Sequence, residues 1–216
     1  MKKLVDNQNS LVWHTPEIIS VERWGSAISY LEKRQISQLF DQMNGWQSDN
    51  IRQFIIGDSD LKLGELCQWF VDHPENYRMF FGFDSGKLAV FTVIENATIV
   101  DTFGLFDYAS YCQMHDVSQV EGYMPINRIN DIFTAAQSKT GAYIQYLIVA
   151  PEMQGRGIGT SAVKSIIGNI NDAVSLYSTD IHKENIASQK VFSKNGFARA
   201  FIENDDHEGE TYYNLV

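Results

Sequence analysis

The spacing of apolar residues changes along the chain, and each change marks a different kind of element. Ile28, Leu31, Ile36, Leu39, Phe40 and Met43 follow helical spacing, which predicts a helix over 26–43 with Ser26 as its cap and Gly45 as its stop. A second helix is predicted from Asp60, with Leu63, Leu66, Cys67, Phe70 and Val71 on one side, ending before Pro74. The period then shortens. Arg78 to Phe83 and Lys87 to Ile94 are β-prone runs around Asp84-Ser85-Gly86, the pattern of a hairpin.

Residues 96–140 carry aromatics (Phe103, Phe106, Tyr108, Tyr111, Tyr123) and one predicted helix after Pro125, built on Ile126, Ile129, Ile132 and Phe133. This stretch is too short for a core of its own and reads as an insertion between strands. Tyr143 to Val149 is almost continuously apolar, as a central buried strand is. After it come a glycine-rich turn, a helix on Ala162, Val163, Ile166 and Ile167, and a strand over 174–178. A helix over 185–195 is stopped by Gly196, and strands over 198–202 and 211–215 close the chain. Strands interleaved with helices predict a mixed α/β (α+β) fold in a single domain over 1–216, with a helical part in 1–77.

Composition narrows the function little. The 216 residues are 44% hydrophobic and 20% charged, an ordinary globular balance. A net charge of −10 argues against nucleic acid as a partner, because phosphate contacts need clustered Lys and Arg. No apolar run reaches the roughly 18 residues of a membrane span, and no apolar stretch follows Lys2 and Lys3 as in a signal peptide. Cys67 and Cys112 lie far apart and outside any CxxC pattern, which argues against a disulfide framework or a zinc site. His14, His73, His182 and His207 form no metal-ligand spacing. The chain reads as cytoplasmic, without membrane or metal.

The chemistry concentrates in Pro151-Glu152-Met153-Gln154-Gly155-Arg156-Gly157-Ile158-Gly159-Thr160, between the central strand and its helix. Glycines at alternate positions let the main chain turn tightly and meet a ligand without Cβ interference. The first N–H groups of the helix have no intrahelical acceptor and carry the positive end of its dipole, so together these features predict an anion site. The alternative, a plain strand-to-helix turn that uses glycine for geometry, would need only one glycine rather than three. A Walker A loop is excluded, since Gly159 is followed by Thr160 with no lysine. A dinucleotide fingerprint is excluded because Thr160 stands where G-x-G-x-x-G needs its third glycine. Gln-x-x-Gly-x-Gly does fit, on Gln154, Gly157 and Gly159. This resembles the pyrophosphate motif of the GNAT superfamily of N-acetyltransferases, and Leu147 to Pro151 looks like that family's fourth strand. Asn185-Ile186-Ala187-Ser188 through Phe192 to Gly196-Phe197 is similar to the family's later N-x-x-S/A-x-x-x-(F/Y)-x-x-x-G-F element. The specific match covers about 143–197.

The resemblance implies a mostly antiparallel twisted sheet flanked by helices, with the insertion before the central strand. It implies acetyl-CoA as donor substrate, with backbone groups of Leu147, Ile148 and Val149 on the pantetheine amides. Main-chain N–H groups of Gln154, Gly155, Arg156, Gly157, Ile158, Gly159 and Thr160 would hold the diphosphate. Asn185 would reach the arm, although its residue type equally suits a helix cap. Ser188 would assist or lend a hydroxyl as acid, or else face solvent. Asp180, following the strand, is the first candidate for the base, or a plain polar strand end. Tyr143 stands where other members place a glutamate, and Phe192 where many have the tyrosine acid, leaving Tyr146, Tyr177 and Tyr212 as substitutes. His115 and Asp116 read as a surface pair rather than pocket residues. The function implied is acetyl transfer to a primary amine of a small molecule or protein by direct attack, in a monomer or homodimer. Two alternatives stand beside it: a non-catalytic acyl-CoA-binding or sensing module, and an interaction protein working through the aromatic insertion.

Overall fold

The computed structural model describes residues 3–5, 11–14, 33–56, 60–73, 77–85, 87–97, 103–118, 122–138, 141–169, 174, 176–200 and 209–215. Ser26, Ile28, Leu31, Pro74, Gly86, His207 and the predicted strand end at 201–202 lie outside them. The chain divides into two compact units, one of Met1–Glu95 with Gln145–Gly168, the other of Asn96–Ile144 with Asn169–Val216.

In the first unit, strands β1 (Lys3–Val5), β2 (Leu11–His14), β3 (Tyr77–Asp84) and β4 (Lys87–Ala97) pair antiparallel in that order. The predicted hairpin is the β3–β4 pair, registered from Tyr77–Glu95 to Asp84–Lys87 with an irregularity at Gly82/Phe83. Strand β5 (Gly141–Val149) ends in this unit, where Ala150 N donates to Ala89 O at 2.9 Å. Helices α1 (Lys33–Met43) and α3 (Leu63–Asp72) pack together, and Gly64 makes their approach possible. A Cβ on Gly64 would lie 2.6 Å from Phe40 O, and its N–H donates to Asn44 Oδ1 at 2.8 Å. Phe40, Phe81 and Phe91 share the core, with ring centroids 5.1–6.4 Å apart. Burying such a side chain stabilises the fold by about 1.5–3 kcal/mol.

Between these helices, where the pattern predicted nothing, Ser48 caps a short turn α2 (Asp49–Ile51), which continues as a π-helical turn over Arg52–Ile56. Next to it lies a cavity of about 380 Å³, lined by Trp46, Ser48, Arg52, Asp60 and Lys62 among others. Its lining carries charges of both signs.

The second unit holds helices α4 (Phe103–Met114) and α5 (Ile126–Ser138), the first half of β5, and β6 (Leu176–His182), β7 (Ala198–Arg199) and β8 (Gly209–Leu215). Helix α4 was not foreseen, because its apolar residues are spread around it and leave no one-sided period. Its Tyr108 and Cys112 pack with Ile129 and Ile132 of α5, Leu176 of β6 and Tyr213 of β8. Helices α4 and α5 therefore share a core with the closing strands. Arg199 stacks 3.9 Å above the Tyr123 ring and pairs with Glu210 at 3.1 Å, which fastens the segment ahead of α5 to β7 and β8.

β5 and β6 are parallel through Gly141–Leu176, Ala142–Tyr177 and Tyr143–Ser178, whereas β6–β8 and β8–β7 are antiparallel. The fold is thus mixed α/β, a mostly antiparallel open sheet with flanking helices, as expected. The helix expected from Asp60 begins at Leu63, the strand expected over 198–202 ends at Arg199, and one further boundary bears on the site. β6 was expected over 174–178, yet it runs to His182, because Thr179, Asp180, Ile181 and His182 all pair with β8. Asp180 therefore lies within the strand rather than after it. Among the described residues, no helix is long and apolar enough to cross a membrane.

Candidate functional site

β5 delivers the chain into the glycine turn. Ile148 of this strand is buried, while Leu147 and Val149 are only half-buried, unusual for apolar residues of an interior strand. A 3-10 turn over Pro151–Met153 follows, and Gln154 N closes it on Pro151 O at 3.3 Å. The Gln154 side chain also turns inward, Nε2 donating to Val149 O at 3.2 Å. Gln154 thus spends its main-chain N–H on Pro151 and a side-chain N–H on Val149, and the free main-chain N–H groups begin one residue later.

Gly155 and Gly157 have φ of 74° and 79°, in the left-handed region where a Cβ is strained. A Cβ at either would meet nothing within 4 Å, so it is the backbone conformation, not intramolecular crowding, that calls for glycine there. Gly159 differs: it lies in the first turn of α6 (Ile158–Asn169) without positive φ. Met153 and Ile158 are buried at either end of the loop, while Gln154 to Gly157 are exposed and Thr160 is half-buried. The first bond into the helix is Ser161 N to Gly157 O at 3.0 Å. Among the described residues, the N–H groups of Gly155, Gly157, Ile158 and Gly159 have no partner. Arg156 points its guanidinium at Asp84 Oδ2, 3.0 Å away at the end of β3, and so ties the loop to the hairpin.

The second unit carries the other predicted residues. Asn185 caps α7 (Ile186–Lys194), its Oδ1 accepting from Ser188 N at 3.1 Å. That is the cap role its residue type suited, and it leaves Nδ2 without a partner among the described residues. Ser188 is half-buried in the first turn of α7. Phe192 is 3% exposed and sets its ring edge-on to Phe197 at 5.0 Å. Its position belongs to the core.

Asp180 is exposed and accepts two hydroxyl hydrogen bonds: Tyr143 Oη donates to Oδ2 at 3.2 Å and Thr211 Oγ1 to Oδ1 at 2.7 Å. Sequence reasoning treated Tyr143 and Asp180 separately and placed Thr211 in a closing strand without a role at the site. No local signal joins them, since they are 37 and 31 residues apart. One residue beyond the last β5–β6 pair, Thr179 Oγ1 donates to Ile144 O at 2.9 Å.

Of the substitute tyrosines, Tyr177 is fully buried. Burial pushes the Tyr212 phenol up to about 12, helped by the Glu210 carboxylate. Burial also raises Tyr146, which lies edge-on to Phe70, and the Cys67 thiol beside it adds to the effect. Both therefore stay protonated at neutral pH. His115 lies exposed with its ring 4.3 Å from that of Tyr111, and Asp116 is exposed beside it, as expected of a surface pair. Cys67 and Cys112 are free and buried.

A family model described as the acetyltransferase (GNAT) family matches residues 43–197. The chain belongs to this family. Among solved structures, it resembles AAC(6')-Ib in complex with ribostamycin and coenzyme A, with 12% identity and a TM-score of 0.55, over 96% of this chain and 94% of that one. It also resembles the spermidine N-acetyltransferase of Vibrio cholerae bound to CoA and spermine, with 15% identity and a TM-score of 0.50, over 86% and 92%. A GNAT-family acetyltransferase of Streptococcus pneumoniae matches at 12% and 0.52, over 86% and 95%. At these identities the likeness is one of fold. No curated relative matches the sequence of this GNAT protein.

Proposed function

We propose that this GNAT protein is an N-acetyltransferase that moves the acetyl group of acetyl-CoA to a primary amine by direct attack, with residues 1–216 working as one domain. The observation that carries this reading is the turn at Gly155–Gly157: two left-handed glycines, open space where each Cβ would stand, and unpartnered N–H groups at the start of a twelve-residue helix. A diphosphate fits that chemistry, because exposed amides and the helix dipole both favour an anion. Gly155 to Thr160 would hold the diphosphate, and Leu147, Ile148 and Val149 would bind the pantetheine arm through their backbone. Asn185 Nδ2 would also bind the arm while Oδ1 caps α7, with Ser188 assisting. The two roles of Asn185 are compatible. Solved relatives of the same fold are complexes with coenzyme A, which agrees with this donor.

Acetyl-CoA supplies a thioester carbonyl activated by a good leaving thiol, so the protein's tasks are orientation and proton transfer. Asp180 is the proposed base for the acceptor amine. Ser188, in the first turn of α7, is the proposed donor toward the departing sulfur, with Tyr146 as a substitute. The acceptor is a small-molecule or protein amine; the relatives bound to ribostamycin and to spermine make amine-rich small molecules the first to try.

Thiol release from acetyl-CoA, followed across polyamines, aminoglycosides, amino acids and peptide amines, tests this. Turnover on one class supports it. Binding of acetyl-CoA without turnover on any amine would favour a sensing module, the reading motivated by Phe192, whose buried ring carries no hydroxyl.

A further inference from the structure

We infer that Tyr143 and Thr211 are positioning residues that hold the Asp180 carboxylate in one orientation for taking a proton from the acceptor amine. The inference rests on the reading of Asp180 as the base and adds to it the two groups that aim it. Three strands contribute. Thr211 on β8 stands directly opposite Asp180 in the antiparallel register, and Tyr143 on β5 is registered with Ser178, two residues earlier on β6. Residues two apart on a strand share a face, so Tyr143 reaches Asp180 along the diagonal.

Each carboxylate oxygen receives one hydroxyl donor, at 3.2 Å and 2.7 Å. An ionised carboxylate has about four lone-pair sites, so one donor per oxygen leaves acceptor capacity for a substrate proton. Among the described residues no cation pairs with Asp180, and its side chain is exposed to an incoming amine. A free surface aspartate samples several rotamers. Here the hydroxyls of Thr211 and Tyr143, both on paired strands, remove that freedom from both sides. Fixing a proton acceptor in advance is a recognised source of rate. The positions also explain how a chain with tyrosine at 143 keeps a carboxylate: it stands on the neighbouring strand and is held by that tyrosine.

The test measures thiol release from acetyl-CoA by the full chain, with spermidine, ribostamycin or water alone as acceptor. Asp180→Asn is expected to lower kcat by about 100-fold or more. Tyr143→Phe and Thr211→Val are each expected to lower kcat about 3- to 10-fold, with the KM for acetyl-CoA and the melting temperature unchanged, while Thr211→Ser keeps the wild-type rate. In the Asp180→Asn background, neither Tyr143→Phe nor Thr211→Val lowers the rate further. If Asp180→Asn is slow but Tyr143→Phe and Thr211→Val match wild type, or slow the Asp180→Asn enzyme as much again, the inference falls and the base reading stands. Wild-type turnover in Asp180→Asn, or no thiol release by the wild type with any acceptor, overturns both.

Discussion

The loop from Gly155 to Thr160 offers main-chain N–H groups, whereas the cluster around Asp180 consists wholly of side chains drawn from three strands. The loop is contiguous, and its chemistry comes from backbone conformation, namely two residues with φ near +75° and the start of a helix. The cluster has ordinary backbone, and its chemistry comes from pairing between residues 31 and 37 positions apart. Loss of a side chain should therefore damage the cluster most, while the loop should be most sensitive to a Cβ added at its left-handed glycines. Substitutions of opposite kinds separate the two regions.

The largest effect is expected at the cluster. Asp180→Asn keeps both neighbouring hydroxyls and nearly the same shape but removes the proposed base, so on that proposal kcat should fall about 10²- to 10⁴-fold. Isothermal titration should find acetyl-CoA binding unchanged. A large loss of acetyl-CoA affinity in this variant would break the division between the regions. Next comes Gly157→Trp, which forces a side chain into a left-handed position and fills the open space in front of the loop. Acetyl-CoA affinity should drop on the order of 100-fold or more, equivalent to about 2.7 kcal/mol. Unchanged affinity in Gly157→Trp would count against the loop as the diphosphate site.

A third variant addresses a position where family pattern and structure disagree. Many GNAT members carry a tyrosine where this chain has Phe192, and Phe192→Tyr looks like the repair of a missing acid. The ring is 3% exposed and edge-on to Phe197, so an added hydroxyl is expected to be buried. An unsatisfied buried hydroxyl costs about 1–3 kcal/mol. Thermal denaturation should show that loss of stability, and thiol-release assays should show no gain in kcat. A rise in kcat would mean that the second motif still addresses the reacting centre.

How far the sequence could be read follows from the same contrast. Glycine at 155 and 157 reports a local backbone demand, and Asn185 reports a local cap, so both are visible in a short window. The β3–β4 hairpin, α3, β5 and α7 are visible for the same reason: each has its own period or its own stop signal. Helix α4 is not, because its apolar residues surround it, and its burial depends on α5, β6 and β8. The end of β6 was misjudged because Thr179 and Asp180 are polar, and only their pairing with Tyr212 and Thr211 makes them strand. Thr211 could be read as strand, but nothing in the sequence tied it to Asp180. A hydroxyl facing a carboxylate across a sheet is a property of register, and register is absent from a local pattern.

The smallest expected effect concerns the link between the glycine loop and the hairpin. Arg156 is 56% exposed and Asp84 9% exposed, with 3.0 Å between Nη2 and Oδ2. Pairs with one partner mostly in water contribute about 0–1 kcal/mol. Asp84→Asn keeps the side-chain volume and removes the charge, so acetyl-CoA affinity should weaken about 2- to 5-fold as the loop loses its tether. A double-mutant cycle with Arg156→Gln isolates the pair, because Asp84→Asn should cost nothing further once the guanidinium is gone. The sign of the first measurement is the informative part. If Asp84 holds Arg156 only to brace the loop, its loss weakens binding; if Asp84 withholds Arg156 from the diphosphate, its loss tightens binding. Tighter binding would move the Arg156 side chain from scaffold to ligand contact, and the loop would no longer be a purely main-chain site.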